Sequence, residues 1–224
     1  EEALKQHNLE IDSIVNNSED PTFENTIVAL ENAGSLLSNV STVFYNLNSA
    51  NTNDSIQAIA KELAPQLSAH NDEINLNAKL FARVKSVFDN KDSFPLDAED
   101  QKLLEETYKG FVRSGANLSD GDKETLKKIN ADLSVLTTEF GQNLLAETNA
   151  YELVVENKED LAGLPEGLVS AAADVAKAKG KEGKWVFTLS NPSVMPFLQY
   201  ADNRELRKNI WDAYQKRGNN DNDN

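Results

Sequence analysis

The chain has no cysteine and only two histidines. The first absence excludes disulfides, thiolate zinc sites, iron–sulfur clusters and thiol catalysis together. It leaves the compartment open, because a cysteine-free chain suits cytoplasm and periplasm alike. Aromatics are scarce at 7%, and there is a single methionine, but 39% of the residues are apolar. Collagen, a disulfide scaffold and a fully disordered chain are therefore excluded. No stretch approaches the roughly 18 consecutive apolar residues of a membrane span, and the first residues do not read as a signal peptide. Basic residues are also few. Lys and Arg total 22 against 37 Asp and Glu, a formal net charge of −15. Such a chain repels phosphate backbones, so nucleic acid is not an expected partner. The plain reading of the charge is solubility; the functional one is attraction for cationic substrates or metal ions.

Catalytic signatures are missing too. His7 is followed by Asn8-Leu9-Glu10-Ile11 and His70 by Asn71-Asp72-Glu73-Ile74, so neither opens an H-E-x-x-H zinc motif. There is no G-x-S-x-G, no P-loop and no G-x-G-x-x-G. The chain begins at Glu1 and ends in Gly218-Asn219-Asn220-Asp221-Asn222-Asp223-Asn224. These ends are read as those of a piece cut from a longer protein.

What is present is helical periodicity over 224 residues, enough for one sizeable core or two small ones. Leu4, Leu9, Ile11, Ile14 and Val15 pattern a first helix over 2–15. Asn16 to Pro21 breaks it, and Thr22 caps a second helix with Asn25 at its third position. Phe23, Ile27, Leu30, Gly34, Leu37, Ser41, Phe44 and Leu47 make one continuous coiled-coil-like seam. A third helix from about Asp54 carries Ile56, Ile59, Leu63, Leu67, His70 and Ile74. Pro65 inside it predicts a kink or break, since an interior proline costs about 3 kcal/mol. Leu76 to Phe88 is a further helical run. Asp97 caps the next, with Leu103, Leu104, Tyr108, Phe111 and Val112 as its buried stripe. Ser119 caps the longest, of about 30 residues or roughly 45 Å, with Leu126, Ile129, Leu133, Leu136, Phe140 and Leu144 in register.

The pattern changes after Ala150. Tyr151 to Val155 and Trp185 to Leu189 read as the two strands of one small sheet. An alanine-rich helix over 168–178, ended by Gly180, lies between them. Pro192 and Pro196 punctuate a short helical turn, and Asn203 caps a last helix through Leu206, Ile210, Trp211 and Tyr214. The expected fold is all-α, a multi-helix bundle with a minor two-stranded β element. It is read as one domain over 1–218 with a soft boundary near Ala150, followed by a linker or truncation scar over 219–224.

Several segments stand in a telling order. They are Pro21-Thr22-Phe23-Glu24-Asn25-Thr26-Ile27, Ala50-Asn51-Thr52-Asn53-Asp54, Leu63-Ala64-Pro65-Gln66-Leu67-Ser68-Ala69-His70 and Leu80-Phe81-Ala82-Arg83-Val84. Phe111-Val112-Arg113-Ser114-Gly115-Ala116 follows, then Tyr200-Ala201-Asp202-Asn203-Arg204-Glu205-Leu206-Arg207 and Trp211-Asp212-Ala213-Tyr214. Each alone is weak. As a series they resemble the N-terminal part of the M3 family of zinc metallopeptidases, nearest its bacterial peptidyl-dipeptidase branch, with oligopeptidase A and thimet-type branches as cousins.

The resemblance covers essentially the whole chain. It implies a neurolysin-like N-terminal lobe, in a parent with two mostly helical lobes flanking a channel for short or unfolded peptides. It implies zinc in that parent, held by the histidines of an H-E-x-x-H helix and a downstream glutamate, with the motif's glutamate as general base. It implies release of dipeptides from peptide C-termini. The zinc motif lies in the C-terminal half of family members, so the zinc catalytic domain is absent from this chain. No catalytic residue and no metal ligand is carried over, and no substrate-binding residue is assigned.

The remaining candidates have plain readings beside functional ones. His70 and His7 lack the further ligands of a metal site, so His70 is read as a packed structural group and His7 as structural or solvent-facing. Trp185 and Trp211 could line a cleft but are read as core. Tyr200, Arg204 and Arg207 could clamp a peptide carboxylate; the plain reading is salt bridging within an acidic chain. Asp97, Glu99, Asp100, Glu105 and Glu106 are read as compensation of a helix dipole. Gly180-Lys181-Glu182-Gly183-Lys184 is read as a tight turn, because no helix N-terminus follows it to cradle phosphate. Two functions from different classes follow. The first is the channel-wall lobe of a zinc peptidyl-dipeptidase, inactive alone, whose partners are short peptides and the missing catalytic lobe. The second is a stand-alone helical peptide-binding module without catalysis. An acidic scaffold with no site is a poorer third.

Overall fold

The computed structural model describes residues 1–219, and beyond Asn219 the expected linker lies outside the described residues. The chain is mostly helical, with one two-stranded antiparallel sheet among the described residues. It divides into two compact units, Glu1–Thr138 and the residues from Glu139 onward.

The first unit opens with α1 (Glu2–Val15), a π-helical stretch over Phe23–Val28 and the short α2 (Ala29–Asn32). Then come α3 (Ser35–Ala50), α4 (Asp54–Asn75), α5 (Ala78–Asp89) and α6 (Ala98–Arg113). The long α7 (Asp120–Ala150) starts in this unit and carries the division between the two. Side-chain caps set most of the starts. Thr22 and Asn25 form a capping box, as do Asp97 and Asp100. Asn53 caps α4, Asn77 caps α5, and Ser119 Oγ accepts the Asp122 amide at the head of α7. Each cap satisfies a donor that the first turn leaves orphaned. The core gathers Ile11, Ile14, Phe23, Ile27, Leu80, Val84, Val87, Leu104 and Phe111, all buried. Tyr108 stacks on Phe88 with ring centroids 4.0 Å apart.

One sequence expectation fails here, and of the kink or break expected at Pro65 the break does not occur. The seam over Phe23 to Leu47 is not one helix. It is interrupted at Ala33 and Gly34, and α3 restarts from Gly34 at φ +75°. Glycine takes that left-handed conformation without the cost a Cβ imposes. The phase of the seam survives, since Leu37, Ser41 and Phe44 are half-buried, but α3 has no fully buried residue. Pro65 does not end α4, which runs unbroken from Asp54 to Asn75. Lys61, to whose carbonyl the proline has no amide to donate, is exposed. α7 matches its expected extent at 31 residues, yet Ile129, Leu133, Leu136 and Phe140 are exposed.

In the second unit, β1 (Leu153–Val155) pairs antiparallel with β2 (Trp185–Phe187), Leu153 opposite Phe187 and Val155 opposite Trp185. α8 (Glu166–Ala178) connects them and ends toward Gly180, followed by α9 (Asn191–Tyr200) and α10 (Arg204–Gln215). Leu153, Val155, Ala172, Phe187, Leu189, Val194, Phe197 and Ile210 form its core, with the Phe187 and Phe197 rings 4.6 Å apart. The short turn expected around Pro192 and Pro196 is a full ten-residue helix. Pro192 occupies the first turn, where no amide donor is needed. The carbonyl that Pro196 leaves unserved lies in that same exposed turn. The small sheet, its intervening helix and the Asn203 cap agree with the sequence reading.

Gly34→Ala should lower stability by roughly 2 kcal/mol or more, read as a shift of the urea midpoint. A Cβ there adds left-handed strain and would stand 2.7 Å from the His7 ring. Phe197→Ala should cost about 3–5 kcal/mol in the same measurement, through the cavity left beside Phe187.

Candidate functional site

A concavity of about 590 Å³ lies within the first unit, between α4, the end of α6 and α7. Helix spacing builds its polar wall. Ser68, Asn71, Asp72 and Asn75 recur at three and four on α4, and Asn130, Ser134, Thr137 and Thr138 face them from α7. Arg113, Ser114, Leu126 and Leu133 complete the lining.

The cleft's hydrogen bonding is partly committed. Asn130 Nδ2 donates to the buried Asp72 carboxylate at 2.7 Å. Ser134, Thr137 and Thr138 donate their hydroxyls to helix carbonyls at 2.6–2.8 Å. Their oxygen lone pairs remain to accept N–H groups, while Asn71 and Arg113 can donate. Such a surface suits an extended peptide backbone, which presents both donors and acceptors. It offers no nucleophile–base pair. Among the described residues no group of three or more His, Asp or Glu is arranged to hold a metal ion.

The two histidines, far apart in sequence, meet in this unit. His70 Nε2 lies 2.9 Å from His7 Nδ1, and the ring centroids are 4.8 Å apart. His70 is buried, in keeping with its structural reading, and His7 is half-buried on α1. Both are held below the ordinary imidazole range, chiefly by burial. The charge of His70 lowers His7 further, while Glu10 and Glu73 pull the other way. Glu10 in turn accepts the Gly34 amide at 2.7 Å, which holds its carboxyl below the usual range. Among the described residues no third ligand joins the pair, so it does not fit the zinc site that the resemblance implies for a parent protein. Spacing gave no signal for this pairing. Only the apolar side of α4 on which His70 stands, and the helical pattern of α1, hinted that both face inward.

A buried arginine was also missed as a working residue. Arg83 donates through Nη1 to the carbonyls of Asn17 (2.9 Å) and Glu19 (3.2 Å), and through Nη2 to Asn25 Oδ1 at 3.1 Å. Its Nε is buried without a partner.

Other sequence candidates lie in the second unit. Trp185 is half-buried against the sheet core, as read. Trp211 is not core: it is 48% exposed, because the phase of α10 turns Ile210 inward instead. Tyr200 is exposed as well. Arg207 does not salt-bridge as expected but donates to the carbonyls of Ala201 and Asp202. These carbonyls follow the C-terminus of α9, where unsatisfied acceptors and the negative end of the helix dipole attract a cation. Arg204 makes no hydrogen bond or ion pair among the described residues, so nothing joins the three into a carboxylate clamp. The glycines at 180 and 183 take φ +69° and +83° in a tight turn, as expected. In the first unit, the acidic residues at the head of α6 serve its capping box and lysine pairs one turn away.

No helix among the described residues is long and apolar enough to cross a membrane. No family model matches the chain. Comparison with curated proteins is more informative. The chain is 38% identical over 213 residues to a dipeptidyl carboxypeptidase of Salmonella typhimurium, covering 95% of this chain and 31% of that protein. It is 37% identical over the same length to the dipeptidyl carboxypeptidase of Escherichia coli. It is 30% identical over 196 residues to an oligopeptidase A of Haemophilus influenzae, covering 88% of this chain and 29% of that protein. The chain is thus a homologue of these peptidases along nearly all of its length, as the ordered segments indicated. It spans about 31% of the length of the first of them.

Asn130→Leu should lower stability by about 1–3 kcal/mol, because it leaves the buried Asp72 carboxylate without this donor. Urea unfolding reads the loss, and Asp72→Asn in the same background should recover part of it.

Proposed function

We propose that the chain is the N-terminal lobe of a zinc-dependent peptidyl-dipeptidase and forms one wall of the channel that admits its peptides. The observation that carries this reading is identity of 37–38% to dipeptidyl carboxypeptidases over 95% of the chain, against only 31% of theirs. In this reading zinc and its ligands belong to the rest of a longer protein. In that division His7 and His70, which pair with each other, serve the scaffold. Zinc, where bound, would supply an activated water and a Lewis acid for amide hydrolysis.

Two features support a wall that is covered in the whole protein. Leu36, Val40, Val43 and Leu47 make one exposed apolar face of α3, and Ile129, Leu133 and Leu136 make another on α7. Exposed stripes at helical spacing are suited to packing against a further lobe. The cleft between α4 and α7 contributes acceptors and donors for a short extended peptide. The bond-breaking groups come from elsewhere, so the lobe alone is inactive.

The test is an incubation of the purified 224-residue chain with zinc and an N-blocked tetrapeptide, followed by an amine-reactive assay for free dipeptide. No release above the protein-free rate is expected. Zinc-dependent release that EDTA abolishes would overturn the division of labour.

A further inference from the structure

We infer that His7 and His70 form a two-proton latch, which holds α3 at the α1–α4 seam near neutral pH and releases it in acid. The inference rests on geometry within the first unit and stands apart from the peptidase reading.

The contact between His70 Nε2 and His7 Nδ1, at 2.9 Å, needs one N–H and one bare nitrogen. Two neutral rings meet that need. One added proton still meets it, with an imidazolium donating to an imidazole. A second proton leaves two donors and two positive charges face to face, and the contact cannot persist. The latch therefore opens on the second proton.

The surrounding structure makes the opening consequential. The His7 ring fills the space where a side chain at position 34 would begin, 2.7–2.9 Å from it. Gly34 is the left-handed corner from which α3 starts, and Glu10 holds the same corner through the Gly34 amide. A ring driven from His70 must press on that corner or leave from beneath it. α3 has no fully buried residue with which to resist. The neighbouring core around Leu80, Val84 and Leu104 is fully buried.

The charges acting on the pair are Glu10 from α1 and Glu73 from α4. Of the other neighbours, α3 carries only Tyr45 and α2 only Glu31 as titratable groups. Burial outweighs the two glutamates, so both imidazoles titrate below their unfolded value of about 6.5. The folded protein then binds fewer protons than the unfolded chain in mildly acidic solution. The latch's contribution is complete above the unfolded value and is lost as pH falls through the lowered folded values.

The chain has only these two histidines, so their ring protons can be followed by NMR from pH 8 to 4.5 without ambiguity. Amide hydrogen exchange over Ser35–Ala50 is read alongside. Both midpoints should fall below 6.5, with a biphasic curve for His7. Protection in α3 should drop about tenfold or more from pH 7 to 5, after correction for intrinsic rates, while α5 and α6 keep theirs. In His7→Gln, whose amide can accept from a protonated His70, the His70 midpoint should rise and the acid loosening of α3 should vanish. His70→Gln gives the mirror experiment should the first variant not fold. Single-site curves indifferent to loss of the partner, or α3 protection that does not change with pH, would overturn the latch.

Discussion

The first unit depends on a buried cation held by two backbone carbonyls and an amide oxygen, with no ion pair to a carboxylate among the described residues. Arg83 stands on α5, whose other inward residues are Leu80, Phe81, Val84 and Val87. From there its guanidinium gathers two loop carbonyls, at Asn17 and Glu19, and the side chain of Asn25. Asn25 is itself half of the capping box that starts the π-helical stretch. One side chain thus fixes how the chain leaves α1 and how it enters the next helical element. Charge-assisted bonds to three acceptors offset the removal of the cation from water. A lysine, with a single ammonium, lacks the planar fork that reaches acceptors on two sides.

Much of the fold was legible because helix starts are local chemistry. Thr22, Asp97, Ser119 and Asn203 cap where they are read as caps, and Asn53 and Asn77 cap two further helices that the sequence reading leaves without one. The small sheet was legible because Tyr151 to Val155 and Trp185 to Leu189 break the helical period. The errors came from places where tertiary context decides. Pro65 stays inside α4, where Lys61, the residue to whose carbonyl it has no amide to donate, is exposed. Gly34, read as a small residue inside a seam, is a corner instead, and the His7 ring beneath it explains why the corner must be glycine. The α7 repeat shows the opposite limit. Periodicity reports an apolar face, and does not report what covers it.

The site was less legible than the fold. His7 and His70 were read singly, and no spacing rule joins residues 63 positions apart. Trp211 was assigned to the core on residue type alone, when the phase of α10 gives that place to Ile210. The residues in the ordered peptidase-like segments prove largely architectural. Thr22 and Asn25 cap, Arg83 clamps, Asn53 and Asn203 cap, and Arg207 binds carbonyls after α9. The similarity to dipeptidyl carboxypeptidases thus rests on the residues that set the scaffold. It is compatible with chemistry that resides in the other two thirds of such proteins.

The most direct measurement on that account is the nucleotide sequence downstream of the codon for Asn224. The account predicts an open frame of several hundred codons that contains H-E-x-x-H and a later glutamate able to complete a zinc site. A stop codon directly after Asn224 would contradict it and leave a helical module that binds peptides without cleaving them.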